Sequence, residues 1–264
     1  MAPKRPVAVL GGTFDRLHIG HRVLLDEAFR AGRTVGIGLT TAKFLRGHPK
    51  PGARSIQPFP VRRAALERYL SRRYSRGRWW ILPLEDGWGR SVEPGVDVLV
   101  ASAETVSGAR SVNAERTRRH LPRLVVRLVP VVRGEDGLPV SSRRIRAGVI
   151  DARGRRLRPL QVQVVARSEA DRKAVRRAFR LVFPGQSFRW MDGPSGGIRQ
   201  RRATDYRVRV AAGTRSVGRE VRLEDATGRS NLRRSGRTGA VERVVGKLLR
   251  ERVRAGRVEV IRLR

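Results

Sequence analysis

Short apolar runs alternate along the chain with segments whose apolar residues recur every three or four positions. Pro6–Leu10 predicts a strand, Gly11–Leu17 a loop, and His18–Ala31 a helix with Val23, Leu24, Ala28 and Phe29 along one side. Thr34–Leu39 predicts a second strand. Thr40–Pro58, rich in Gly and Pro, predicts a loop, and Val61–Tyr74 a helix carrying Ala64, Ala65, Leu66 and Leu70. Trp79–Leu84 and Val96–Ala101 predict strands, Ser111–His120 a helix, and Leu124–Val132 another strand. This βαβ alternation predicts an α/β fold with a parallel sheet and covering helices.

The stretch Asp151–Pro159 is charged, short and closed by a proline, so it predicts a boundary between domains 1–157 and 158–264. A second, smaller α/β run follows. Leu160–Ala166 predicts a strand and Glu169–Phe183 a helix with Ala174, Val175, Ala178, Phe179 and Val182. Tyr206–Val210 and Val221–Leu223 predict strands, Val241–Val253 a helix, and Val258–Leu263 a last strand of this domain. Gly193–Arg202 and Thr227–Thr238 predict polar loops.

Composition narrows the classes. The 264 residues hold 59 Lys plus Arg against 23 Asp plus Glu, a formal net charge of +36, spread over both halves. Such charge favours anionic partners and predicts non-specific anion or nucleic-acid binding at low salt. Only 5% of residues are aromatic, which argues against base stacking as the mode of recognition. With no cysteine there is no disulfide, thiolate metal site or cysteine nucleophile. The apolar runs are too short for a membrane span, and the N-terminus lacks the apolar core of a signal peptide. A cytoplasmic protein with no membrane partner is the expectation.

One stretch carries chemistry. The apolar residues Val7–Leu10 run into Gly11-Gly12-Thr13-Phe14-Asp15, and then His18-Ile19-Gly20-His21 opens a helix. The two glycines let backbone N–H groups approach an anion, and the helix N-terminus supplies unpaired donors. His18 and His21, three apart, share one side of the first turn, and Gly20 leaves room for a ligand against the backbone. A metal site is disfavoured because no third ligand stands at a telling spacing. Taken whole, the string predicts a nucleotide-phosphate site. His48 and His120 read as a loop residue and a helix C-terminal residue. Trp79 and Trp80 read as sheet packing.

These residues resemble the nucleotidyltransferase superfamily with the His-x-Gly-His signature. Pro139-Val140-Ser141-Ser142-Arg143-Arg144-Ile145-Arg146 is similar to its Ile-Ser-Ser-Thr-x-Ile-Arg motif, with Arg143 where Thr is usual. The segments Pro83–Gly89, Asp97–Thr105, Asn113, Arg116 and Pro130–Val132 resemble the archaeal and eukaryotic type of phosphopantetheine adenylyltransferase over residues 6–151. The resemblance implies a Rossmann-like nucleotidyltransferase domain that uses ATP, 4′-phosphopantetheine and Mg²⁺ and releases pyrophosphate. It implies that Thr13, His18, His21 and Lys43 serve catalysis. Gly11, Gly12, Phe14, Gly20, Asn113, Arg116, Ser141, Ser142 and Arg146 would bind nucleotide and phosphates. Another acceptor, a nicotinamide or flavin mononucleotide or a phosphorylated alcohol with CTP as donor, remains an alternative. A nucleic-acid-binding protein without catalysis is another.

Residues 160–264 are similar, more faintly, to the inosine/xanthosine triphosphatase family, through Lys173–Phe179, Pro194–Gln200 and Thr204–Gly213. Asp171 stands where that family has a phosphate-binding lysine, and Ala211 where it has a metal-binding acid. The resemblance therefore implies a degenerate domain without hydrolytic activity.

Overall fold

Two compact units divide the chain: residues 1–132, 139–148 and 257–264 form one, and 133–138 with 149–256 form the other. The computed structural model describes residues 6–48, 53–103, 105–193, 204–212, 218–225, 232–237, 240–254 and 261–263. The segment 194–200 and the ends of 227–238 lie outside the described residues.

In the first unit β1 (Val7–Gly12), β2 (Thr34–Thr40), β3 (Trp79–Leu84), β4 (Val98–Ser102) and β5 (Val125–Val129) pair in parallel, in the order 3-2-1-4-5. This is the Rossmann-like arrangement, whose ligands gather at the C-terminal strand ends around the reversal of strand order. Alternation along β1 sends Ala8 and Leu10 to one face and Val9 to the other. The first face is covered by α1 (Ile19–Ala31) and α3 (Phe59–Ser71) through Leu25, Ala28, Phe29, Leu66 and Leu70. The second face is covered over β1, β4 and β5 by α4 (Val106–Arg118), through Ala109 and Val112.

Several boundaries differ from expectation. β1 runs on through both glycines, because Gly11 and Gly12 stay in register with Gly38 and Leu39 of β2. The expected loop Thr40–Pro58 holds α2 (Ala42–Gly47), capped by the Thr41 side chain accepting from the Phe44 amide at 3.2 Å, and a 3-10 turn at Ala53–Ser55. The helix α4 begins five residues before the expected Ser111. Its first turn, Val106-Ser107-Gly108, is weakly apolar, so periodicity did not announce it.

The second unit is a mixed sheet in the order β10-β9-β8-β6-β7. Its strands are β6 (Leu160–Ala166), β7 (Phe188–Asp192), β8 (Tyr206–Ala212), β9 (Gly218–Asp225) and β10 (Leu232–Arg237). α6 (Glu169–Val182) and α7 (Val241–Arg254) pack on one face over Val162, Val164, Val208, Val221 and Leu223. β7 and β10 were not legible in the sequence. β7 is short, and β10 has no alternating apolar pattern, so its strand form rests on pairing with β9. The last strand also departs from expectation. β11 (Ile261–Leu263) pairs antiparallel with β5 and so completes the first unit's sheet.

The charged stretch after residue 150 is held tightly. Asp151 accepts the amides of Arg153 (2.8 Å) and Arg155 (2.9 Å). Arg156 is buried between Asp136 (2.8 Å) and Asp205 (3.0 Å).

At the end of α1, a Cβ on Gly32 would lie 2.7 Å from both Ala8 Cβ and the Ala8 backbone nitrogen. Neither atom can swing aside. Gly32→Ala is expected to cost about 1–3 kcal/mol of stability, read as a lower urea midpoint at unchanged slope.

Candidate active site

The site is built on the turn that follows β1. A Cβ on Gly12 would stand 3.0 Å from the Phe14 ring, and one on Gly11 3.3 Å from Leu84. Both glycines therefore let neighbouring side chains close over the strand end. The chain then bends through Phe14 and Arg16, both at φ +47 in the left-handed region. Phe14 is wholly buried and turns its ring toward His21, 5.2 Å away.

This bend is pinned from outside by Arg62. Its guanidinium donates to the carbonyls of Gln57 (2.8 Å), Thr13 (2.7 Å) and Thr40 (2.8 Å). Burial pulls its pKa down from the ordinary value, with the Asp15 charge opposing. The sequence reading missed this residue. Its signal was position, since Arg62 shares the core-facing side of α3 with Leu66 and Leu70.

Asp15 is the other fixed point, a motif residue whose role its sequence context does not show. Its carboxylate, 1% exposed, accepts from the Gln57 amide at 3.0 Å and from Arg146 at 2.5 Å. Its carbonyl accepts from Ser142 Oγ at 2.7 Å. Gln57 in turn accepts from the Arg16 amide at 3.0 Å. The two motifs, 127 or more residues apart, thus meet on one residue. Ser141 caps α5 (Ser142–Arg146) by accepting from the Arg144 amide at 3.5 Å. Arg143, in place of the usual Thr, points outward and is exposed.

His18 precedes α1 and His21 lies in its first turn, with their rings stacked 3.8 Å apart. His21 Nδ1 accepts from the His18 amide at 3.4 Å, which leaves the ring proton on Nε2. His18 is 6% exposed, and among the described residues nothing hydrogen-bonds its Nδ1. Burial pushes its pKa down to about 4; Asp15 opposes the shift and Arg22 adds to it. The space beside Gly20 is taken by the His18 ring rather than left to a ligand, since a Cβ there would meet His18 at 3.1 Å.

Lys43 sits in the first turn of α2, exposed, with its ammonium 3.4 Å from Glu85. Asn113 and Arg116, which the resemblance implies as nucleotide contacts, lie on α4. Asn113 is buried and exchanges two hydrogen bonds with the Leu124 backbone, at 3.1 and 2.8 Å. Arg116, 1% exposed, donates to the carbonyls of Pro122 (2.6 Å), Ser91 (2.8 Å) and Glu93 (2.9 Å). These contacts make both residues braces for the loops flanking α4. His48 closes α2 and stacks on Phe44, and His120 follows α4 at φ +55.

A cavity of about 590 Å³ opens beside Gly11, Gly12 and Thr13. It lies on the sheet face that α4 covers only in part. Its floor includes Gly36 and Gly38 of β2, and its walls include Leu82, Leu84, Trp88 and Val112. Trp80 lies flat over Gly36, where a Cβ would come within 2.8 Å of the indole.

The buried neutral His18 makes the corner acid-sensitive. An unfolded histidine titrates near 6.5. As pH falls from there toward 4, the unfolded chain takes up a proton that the folded chain refuses, so stability is lost. His18→Asn removes the group. The stability advantage of wild type over this variant is expected to shrink by up to ~3 kcal/mol between pH 7 and pH 4, measured by urea unfolding across pH.

A cytidylyltransferase-like family model matches residues 9–148, which span the β1 turn through α5. The phosphopantetheine adenylyltransferase of Methanothermobacter thermautotrophicus is 41% identical over 58% of this chain and 91% of its own length. That of Methanopyrus kandleri is 40% identical over 53% and 88%. A bifunctional phosphopantetheine adenylyltransferase/NTP phosphatase of Thermoplasma volcanium is 34% identical over 66% of this chain and 52% of its own length. With both motifs folded into one corner of a Rossmann-like sheet, and with these relatives, the chain belongs to the cytidylyltransferase-like family and, within it, to the archaeal phosphopantetheine adenylyltransferases.

Proposed function

We propose that the protein transfers AMP from ATP to 4′-phosphopantetheine, giving dephospho-coenzyme A and pyrophosphate. The observation that carries this reading is the meeting of Ser142 and Arg146 with Asp15 beside the Gly-Gly-Thr turn. The adjoining cavity supports the acceptor. A pantetheine arm is long and amide-rich, and a floor of glycine backbone with a few apolar walls suits it.

The nucleophile is a phosphate oxygen, ionised at neutral pH, so no strong general base is needed. Catalysis is alignment with the α-phosphorus of ATP and stabilisation of the charge that develops. Thr13 and the Nε2–H of His21 donate to the α-phosphoryl oxygens, and neutral His18 buttresses the His21 ring. Gly11, Gly12 and Gly20 keep the backbone and the imidazoles close. Lys43 swings from Glu85 to bridge the two substrates. The α5 segment frames the pyrophosphate side, with Ser141 at its cap. Ser142 and Arg146 act there by fixing the Asp15 turn. Mg²⁺ fits as a companion of ATP: Asp15 is committed to Arg146 and Gln57, and among the described residues no three acidic or histidine side chains converge. When bound it offsets charge on the triphosphate.

We read the chain as two working domains, about 1–157 and 158–264 with β11 returning to the first, in the cytoplasm, with the second silent in nucleotide hydrolysis. In that domain Asp205 is taken up by Arg156 and the Gln161 amide, and Asp171 belongs to the Ser168 cap of α6.

Incubation with ATP, Mg²⁺ and 4′-phosphopantetheine is expected to yield dephospho-coenzyme A and pyrophosphate by mass spectrometry. Nicotinamide mononucleotide or flavin mononucleotide offered instead should give no adduct; an adduct with either would reassign the acceptor. His21→Ala should lower turnover by about 10²–10³-fold, and an unchanged rate would remove His21 from the mechanism. Full-length protein given inosine or xanthosine triphosphate with Mg²⁺ is expected to release no monophosphate above a heat-killed control.

A further inference from the structure

Many cations of this chain have structural tasks. Arg62, Arg116 and Arg156 are buried among carbonyls and carboxylates. Arg78, beside an open cleft at the far end of the first unit's strands, donates to the carbonyls of Arg33 (2.9 Å) and Gly32 (3.4 Å) and so closes α1. Arg73 is held by Asp26 at 3.3 Å. The outer faces of α6 and α7 are different.

On α6 the buried residues Val175, Ala178 and Phe179 face the sheet, and Lys173, Arg177 and Arg180 stand exposed on the opposite side. On α7 Val245, Leu248 and Leu249 face the same core, and Arg243, Lys247 and Arg250 stand exposed opposite. Both triplets follow the same i, i+4, i+7 spacing, so each helix carries one straight row of cations. The helices lie side by side on one sheet face. Among the described residues Glu242 pairs with Arg177 at 3.2 Å in a largely exposed contact that is weak in water, and Glu169 lies close enough to Lys173 to feel its charge. Neither row has an aromatic residue between its cations.

We propose that this two-helix face docks double-stranded RNA through its phosphates, a function that does not rest on the adenylyl-transfer reading. The charge spacing fits. Along each row the cations step by roughly 4.5–6 Å at about 1.5 Å per residue, and neighbouring helix axes lie roughly 8–10 Å apart. Two neighbouring rows of positive charge suit two rows of phosphates flanking a narrow groove, and A-form RNA has a deep, narrow major groove. Arginine and lysine without interleaved aromatics read backbone, so the contact positions a duplex without reading its sequence. A membrane surface fits less well, because among the described residues these helices expose two large apolar side chains, Leu181 and Val253, too few for an apolar face.

The test uses full-length protein and a fluorescent 20-base-pair RNA duplex, with anisotropy read from about 50 to 300 mM KCl. The row variant neutralises Lys173, Arg177, Arg180, Arg243, Lys247 and Arg250 to Gln. A control variant removes the same charge elsewhere, by Arg33, Arg68, Arg72, Arg76, Arg123 and Arg153 to Gln. The row variant is expected to weaken binding at least about tenfold and to flatten the salt slope by several units, with the control changing little. Equal loss in both variants, or no loss in the first, overturns the docking face in favour of general charge. A DNA duplex bound as tightly as the RNA overturns the A-form assignment. Each variant is also assayed for adenylyl transfer. A wild-type far-ultraviolet circular dichroism spectrum and urea midpoint show that the second unit of each variant is folded, and retained transfer shows the same for the first. If wild type binds RNA but lacks transfer, the catalytic reading fails and the docking face stands. If the row variant fails to fold, the triplet Lys173→Gln/Arg177→Gln/Arg180→Gln replaces it and must still weaken binding.

Discussion

A single buried carboxylate holds the candidate site together. Asp15 is almost wholly removed from water, and a bare carboxylate there would be strongly disfavoured. It is compensated by Arg146, from a segment 131 residues later, and by the Gln57 amide. The corner can form only when three distant pieces of chain arrive together. Removing either ionic partner would leave the other charge buried and uncompensated. Arg62 does the complementary work from the cationic side, satisfying three carbonyls at the strand end and the turn. Between them these residues hold Phe14 and Arg16 in left-handed backbone that neither residue type favours on its own.

The fold then decides where ligand can go. Two helices pack on one face of the first sheet, but α4 covers only the β1–β4–β5 side of the other. Over β2 and β3 the sheet is lined by Gly36 and Gly38, with Trp80 lying flat on the former. The resulting cavity adjoins the corner of the candidate site at the C-terminal strand ends, where an open α/β sheet presents its ligands. Site and cavity are therefore consequences of strand order and of small residues on β2.

Arginine in this chain serves more than one physical purpose. Some guanidiniums are interior struts, chosen because their several donors can satisfy converging carbonyls that no other cation reaches as well. Others sit in ordered rows on helix faces that need only be polar to stay soluble. The net charge sums these roles and hides the difference; the partners of each side chain reveal it.

Much was legible in the sequence alone. The parallel sheet followed from apolar runs alternating with helical periodicity, and the place of the candidate site from glycines and histidines at a strand-to-helix junction. Those signals are local, because strand, turn and helix start each have a composition of their own. The tertiary structure decided what depends on distant partners. It extended β1 through its glycines by register with β2, and made a strand of Leu232–Arg237 by pairing. It set Ile261–Leu263 against β5 in the first unit. It gave Asn113 and Arg116 loop carbonyls and amides as partners, and raised Asp15 and Arg62 to the centre of the candidate site. A polar side chain's role is fixed by which carbonyl or charge lies within about 3 Å, and sequence spacing carries no such distance.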